Sequence, residues 1–134
     1  MIIRRILIEE WCCTFFFFYC QDDLYDILQS LETCLAPEWI QNEVVDNILS
    51  EFPNEGFTFA DAESKCAVIG MGFSDSGDEF LNTFTHELRH LVDDIAYAEG
   101  IPLRGEGVAY LTGNITLGVA DVVCKYSCNK CRLH

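Results

Sequence analysis

Basic residues are scarce in this chain. Lysine and arginine together number 8 against 22 aspartates and glutamates, which gives a net charge of −14 at pH 7. Nucleic acids and anionic membranes both require a basic patch on the protein that binds them. We therefore expect neither as a partner. The same acidity would favour basic peptides, although an acidic surface that serves only solubility is the simpler alternative.

Long hydrophobic runs are also missing. The most apolar stretch, residues 11–20, falls well short of the roughly 20 residues that a membrane-spanning helix needs. Arg4 and Arg5 ahead of apolar residues imitate a signal peptide, but Glu9 and Glu10 interrupt the apolar segment. We interpret this region as strands, with a cleaved leader as the alternative. No repeat or low-complexity linker is visible, and 134 residues suit one domain.

Eight unevenly spaced cysteines accompany the absence of a credible leader, so we expect reduced thiols and a cytoplasmic protein. The cysteines at five positions lie among apolar residues, and we predict that they are buried: Cys12, Cys13, Cys20, Cys34 and Cys66. The others belong to a cysteine-rich tail, residues 124–134. There Cys124, Cys128, Cys131 and His134 could close a structural zinc site, and a mobile tail is the alternative.

Histidine is rare as well, yet two of the three histidines stand in one motif, His86-Glu87-Leu88-Arg89-His90. On a helix, positions i and i+4 share a face, so both imidazoles can reach one metal ion. Glu87 points beside that face, where it can take a proton from a metal-activated water. The alternative is an amphipathic helix in which HExxH is accidental.

The surrounding residues predict a helix over residues 76–98. Its apolar positions recur at three- and four-residue steps: Phe80, Leu81, Phe84, Leu88, Leu91, Val92 and Ile95. Residues 75–79 offer a cap and first-turn acids, and Gly100 followed by Pro102 is a stop signal. The motif therefore lies in the middle of a long helix.

Two histidines leave a catalytic zinc short of protein ligands, because such sites usually hold three and keep a position for water. The short turn over residues 100–105 leads into a second helical segment that begins at Glu106. So short a turn packs the second helix back against the first, which makes Glu106 the predicted third ligand. Tyr110 lies one turn later and could stabilise an oxyanion, or it could be a tyrosine of the core or rim.

Residues 86–113 resemble the gluzincin zinc metallopeptidases, in which a glutamate on a following helix completes HExxH. HELRHLVDD followed by GIPLRGEGVAYLTG is most similar to minimal single-domain forms, the minigluzincins and small metallopeptidases encoded by phages and mobile elements. The resemblance implies zinc bound by His86, His90 and Glu106, with Glu87 as the general base.

One position departs from the family pattern. Many gluzincins place an aspartate one turn after the glutamate ligand, and this chain has Tyr110 there. The usual carboxylate partner of the first histidine is therefore absent from that position. Asp93 and Asp94 are the candidates to accept the second N–H of a ligating imidazole, and plain solvated helix surface is the alternative for either.

The element order predicts an α+β, zincin-like fold, with a small mixed sheet packed on the HExxH helix and the glutamate helix. The predicted strands cover residues 2–9, 12–19, 56–59 and 65–71, and two further helices cover residues 22–34 and 37–51. We expect residues 67–71 to form an exposed sheet edge that accepts a peptide, with a protected sheet margin as the alternative. The metallopeptidase domain would be residues 1–123.

The sequence thus predicts zinc-dependent peptide-bond hydrolysis of a peptide or protein substrate. So small a domain leaves the cleft shallow, and a partner protein could complete it. A non-catalytic binding or regulatory module stabilised by zinc is the alternative, and an interaction protein without metal is a third reading. An open coordination position would favour the enzyme, because a purely structural site is usually closed by four ligands.

Overall fold

A computed structural model describes residues 1–50 and 56–131, which form an α+β fold with a mixed four-stranded sheet and five helices. The strands are β1 (Ile2–Ile8), β2 (Trp11–Tyr19), β3 (Gly56–Asp61) and β4 (Cys66–Gly72). The helices are α1 (Leu24–Thr33), α2 (Glu38–Leu49), α3 (Gly77–Glu99), α4 (Glu106–Gly118) and α5 (Ala120–Tyr126). Every predicted element is present, and Glu51, the predicted end of α2, lies outside the described residues.

The sheet has the order β1-β2-β4-β3. The neighbours β2 and β4 are parallel, and β1 and β3 each pair antiparallel with the strand beside them. The prediction that residues 67–71 form the edge is therefore wrong. They belong to β4, which lies inside the sheet because it pairs with β2 on one side and with β3 on the other. The first strand, β3, is the edge beside α3.

Helices cover both faces of the sheet, and β2 shows why its sequence is so aromatic. Phe15 and Phe17 point into a core formed with α3, α4 and α5, whereas Phe16 points into a second core formed with α1 and α2. This confirms that the run of phenylalanines belongs to a strand buried on both faces. The register of β2 against β4 shifts after Phe17, and Phe18 has a left-handed backbone with φ of 64°.

The motif helix α3 begins and ends as predicted. The Ser76 hydroxyl accepts a hydrogen bond from the Glu79 N–H at 3.1 Å, which caps the first turn. At the other end Gly100 adopts φ of 69°, and the Ile101 N–H bonds the Ala96 carbonyl at 2.8 Å. Both ends are decided by local chemistry, so the sequence was sufficient to locate them.

All eight cysteines carry free thiols, and two of the five predicted to be buried are exposed. Cys13 and Cys34 are buried, and burial raises the pKa of the Cys13 thiol to about 12. Cys12 and Cys20 are exposed because neither belongs to a core: Cys12 is the second residue of β2, and Cys20 follows the end of that strand. Cys66 is half-buried.

The predicted start of the cysteine-rich tail falls inside α5, which runs to Tyr126. The Tyr126 ring lies 4.7 Å from the Phe18 ring, and the Asn129 side chain accepts a hydrogen bond from the N–H of Gly77 at the start of α3. Cys124, Cys128 and Cys131 are exposed, and His134 lies outside the described residues. Residues up to Asn129 therefore pack against the domain.

In the described part of the chain, no single helix is both long and apolar enough to cross a membrane. Only α4 and α5 taken together reach that length and composition, and they are bent by 75° relative to each other.

Candidate metal and active site

The two motif histidines meet on the solvent-facing side of α3. The Nε2 atoms of His86 and His90 are 3.2 Å apart, and their ring centroids are separated by 4.9 Å. Both side chains are exposed, while the opposite face of the helix packs into the core. The helix therefore brings together the two imidazoles that the sequence predicted as a pair.

This separation suits a shared zinc ion. Two nitrogen ligands at bond lengths of about 2.05 Å and a tetrahedral angle have nitrogens about 3.3 Å apart. The observed 3.2 Å is close to that value. Two imidazole nitrogens at this separation therefore match zinc in ligand type and in spacing.

Glu87 lies on the neighbouring face of α3 and is only 5% exposed. It is the one charged side chain that is buried in the described part of the protein. Its carboxylate accepts a hydrogen bond from the Thr58 hydroxyl at 2.6 Å. Burying a carboxylate with one hydrogen bond and no cation is costly, so such a residue is a strong candidate for function.

The edge strand β3 supplies neighbours that the sequence did not indicate. A Cβ atom on Gly56 would lie 3.0 Å from Glu87 Cγ and 2.7 Å from the Gly70 carbonyl oxygen, so glycine leaves room for the carboxylate. Thr58 is polar between Phe57 and Phe59 in a strand that is otherwise largely apolar. That polar position was the available signal, but only the fold shows that it faces Glu87.

Tyr19 is another residue near Glu87 that the sequence did not indicate. Burial, and to a lesser extent the charge of Glu87, raises the pKa of Tyr19 to about 12. Its phenol is therefore protonated at neutral pH. The hydroxyl is buried and has no hydrogen-bond partner among the described residues.

Glu106 is the first residue of α4 and is exposed. Within residues 1–50 and 56–131, no three histidine, cysteine or acidic side chains are gathered as a metal-binding group. The structure thus brings His86 and His90 together but does not place the Glu106 side chain with them. Glu106 forms no hydrogen bond or ion pair with another described residue, so its carboxylate is free to adopt other rotamers.

Tyr110 is largely exposed, one turn along α4. It lines a cavity of about 70 Å³ whose walls include Ile95 and Glu99 of α3 and Trp11 of β2. Those α3 residues lie about one and a half and two and a half turns beyond His90, so the cavity is displaced along the helix from the histidine pair. The catalytic role of Tyr110 stays a prediction.

The two aspartates proposed as partners of the histidines differ in their contacts. The Asp93 carboxylate accepts a hydrogen bond from the Arg89 guanidinium at 2.8 Å. Asp94 has no such ion pair, and burial raises its pKa while the nearby His90 opposes the shift. Among the described residues neither aspartate accepts a hydrogen bond from His86 or His90, so their role as partners of the imidazoles stays a prediction.

No family model, no curated protein and no solved structure matches this chain. The case for function therefore rests on the geometry of α3, β3 and α4.

Proposed function

We propose that this protein is a zinc-dependent peptidase of gluzincin type with a zincin-like fold. His86, His90 and Glu106 hold the metal, and Glu87 is the general base. One observation carries the proposal: a buried carboxylate lies beside two imidazoles whose spacing suits one zinc ion. A purely structural site would need neither the base nor an open coordination position.

The arrangement of α3 and α4 supports Glu106 as the third ligand. The two helices pack against each other, and the connection between them is short. Glu106 is the first residue of α4 and has no competing partner among the described residues. Rotamer changes of an exposed side chain are fast, and we propose that the Glu106 carboxylate turns toward the imidazoles when the metal binds.

Bound zinc would polarise the scissile carbonyl and acidify a water molecule. Glu87 takes the proton from the attacking water and passes it to the leaving amine. The hydrogen bond from Thr58 holds the Glu87 carboxylate in position for both transfers. Tyr110, or a backbone N–H group, stabilises the oxyanion.

The substrate is a peptide or protein segment that lies along β3. No described strand pairs with the outer side of β3, so its backbone groups are available to an extended peptide. Thr58 in the middle of β3 contacts Glu87, so a peptide in this position passes the general base. A partner protein could complete so small a cleft. The free thiols agree with the cytoplasm as the proposed compartment.

The Glu87→Gln variant tests this proposal, because glutamine keeps the size and hydrogen bonding of the side chain but cannot accept the proton. We expect zinc content and thermal stability close to those of the parent. Cleavage in a diverse peptide library should fall by about 10²- to 10⁴-fold. Glu32→Gln, which makes the same chemical change at an exposed residue of α1, serves as the matched control.

A zinc-loaded parent that cleaves no library peptide would refute the peptidase. If that parent still binds one zinc per chain, the function that remains is the binding module, in which the metal serves stability alone.

A further inference from the structure

Cavities open on both faces of the edge strand. On the α3 side, a cavity of about 270 Å³ lies between Thr58 and Ala60 of β3 and Asp94 and Tyr97 of α3. On the α2 side, a second cavity of about 170 Å³ lies between β3 and α2. Glu43 is the acidic residue of that second cavity. Each face of β3 therefore adjoins a cavity, and a carboxylate is among the described residues that line it.

The side chains of β3 itself alternate between these faces. Phe57 and Phe59 pack against the core on the α2 side, whereas Thr58 contacts Glu87 on the α3 side. A peptide paired with β3 alternates in the same way, so its successive side chains point to opposite faces. Adjacent residues of such a peptide would meet different cavities.

Neither carboxylate is held in an ion pair in the described part of the chain, whereas several other acids are. Asp93 is paired with Arg89, and Glu99 and Glu10 share Lys65. By contrast, Asp94 and Glu43 form no ion pair or hydrogen bond with any residue that the structure describes. Among the described residues that line either cavity there is no lysine, arginine or histidine.

The walls suit a long cationic side chain. Trp11 and Tyr97 are among the residues that line the α3-side cavity, and the indole N–H of Trp11 is already bonded to Glu99 at 2.9 Å. Ile40 and Val44 contribute apolar surface to the α2-side cavity. Lysine and arginine place an apolar stem on such surface and keep the charged end for a carboxylate.

We propose that the peptides recognised by this protein carry basic side chains at two adjacent positions, one held by Asp94 and the other by Glu43. This inference rests on the proposed function only in placing the peptide along β3. It names the substrate class of that site as a dibasic segment. The net charge of −14 adds a long-range attraction for such segments.

Peptide binding tests the proposal separately from cleavage. Fluorescence anisotropy would measure the binding of labelled alanine-rich peptides to the zinc-loaded Glu87→Gln protein. One peptide carries two adjacent lysines, a second carries lysines at alternate positions, and a third carries two adjacent glutamates. We expect the adjacent-lysine peptide to bind tightest, about two- to fivefold tighter than the alternate-lysine peptide, since only it reaches both carboxylates.

Variants then assign the two cavities. In the same background, Asp94→Asn and Glu43→Gln should each weaken binding of the adjacent-lysine peptide by about two- to fivefold, with both changes together giving the larger loss. Glu32→Gln removes an equal charge from the outer surface of α1 and should leave binding unchanged. Equal binding of the two lysine peptides, or parental binding by the Asp94 and Glu43 variants, would overturn the proposal.

The parent protein separates this inference from the peptidase. If the parent cleaves peptides with and without adjacent lysines equally well, the peptidase proposal stands and the dibasic preference is overturned. Binding of the adjacent-lysine peptide that depends on Asp94 and Glu43, without cleavage by the parent, would support the preference and refute the enzyme.

Discussion

The hydroxyl of Thr58 lies 2.6 Å from the carboxylate of Glu87 and 3.3 Å from the backbone carbonyl oxygen of the same residue. This contact joins the edge strand β3 to the middle of α3. It is the only hydrogen bond to the Glu87 carboxylate among the described residues. The position of the proposed base therefore depends on a strand that is distant in sequence, and Thr58 is a positioning residue.

Replacing Thr58 tests that dependence. Thr58→Val keeps the shape but removes the donor, so we expect kcat to fall roughly 10- to 100-fold while KM and zinc content change little. Thr58→Ser restores the hydroxyl and should stay close to the parent. A structural role alone would not separate kcat from KM in this way, and an unaltered kcat in Thr58→Val would contradict the assignment.

Metal content tests the ligand set. The parent should hold one zinc per chain, measured by elemental analysis after purification without added metal. His90→Ala and Glu106→Ala should lose most of it, because a two-ligand site binds zinc weakly. Retention of zinc by Glu106→Ala with parental affinity would show that another residue is the third ligand.

The tail provides the matched control for that measurement. Combined replacement of Cys124, Cys128 and Cys131 by serine should leave the single zinc in place, since these exposed thiols are not gathered into a metal-binding group with other described residues. A parent with two zinc ions, of which the triple variant loses one, would instead reveal a structural site in the tail.

The start of α3 should tolerate no side chain at Gly77. An added Cβ would lie 2.2 Å from the Ser127 carbonyl oxygen, so Gly77→Ala should lower the free energy of unfolding by about 1–3 kcal/mol. The control is Gly113→Ala in α4, where nothing lies within 4 Å of the added carbon. That change should stabilise by about 0.5–1 kcal/mol. Chemical denaturation measures both, and equal effects would count against the packing of residues 126–129 on α3.

Glu99 makes stability depend on pH in a defined direction. Its carboxylate accepts a hydrogen bond from Trp11 and pairs with Lys65 at 3.0 Å, and these contacts lower its pKa below the usual 4.5. The stabilisation is therefore present above pH 4.5 and is lost as the pH falls through the lowered pKa. Thermal melts should show Glu99→Gln less stable than the parent near neutral pH and equal to it in acid. Glu32→Gln should show no such trend, and a gap that persists in acid would contradict the assignment.

Local patterns were sufficient for most of the fold. Residues 76–98 were predicted as the motif helix, and α3 runs from Gly77 to Glu99, because its apolar spacing, the Ser76 cap and the Gly100 stop are properties of neighbouring residues. The same helical spacing brought His86 and His90 together. The α+β class, the positions of the strands and the histidine pair could all be predicted in this way.

The order of the strands could not be predicted from the sequence. The pairing of β2 with β4 is long-range, because α1 and α2 lie between these strands in the chain. Burial of β4 and exposure of the β3 edge follow from that pairing. So does the contact between Thr58 and Glu87, since no local pattern relates a strand residue to a helix turn far along the chain. The sequence by itself determined which side chains carry the proposed chemistry, and the tertiary structure decided which strand lies beside them.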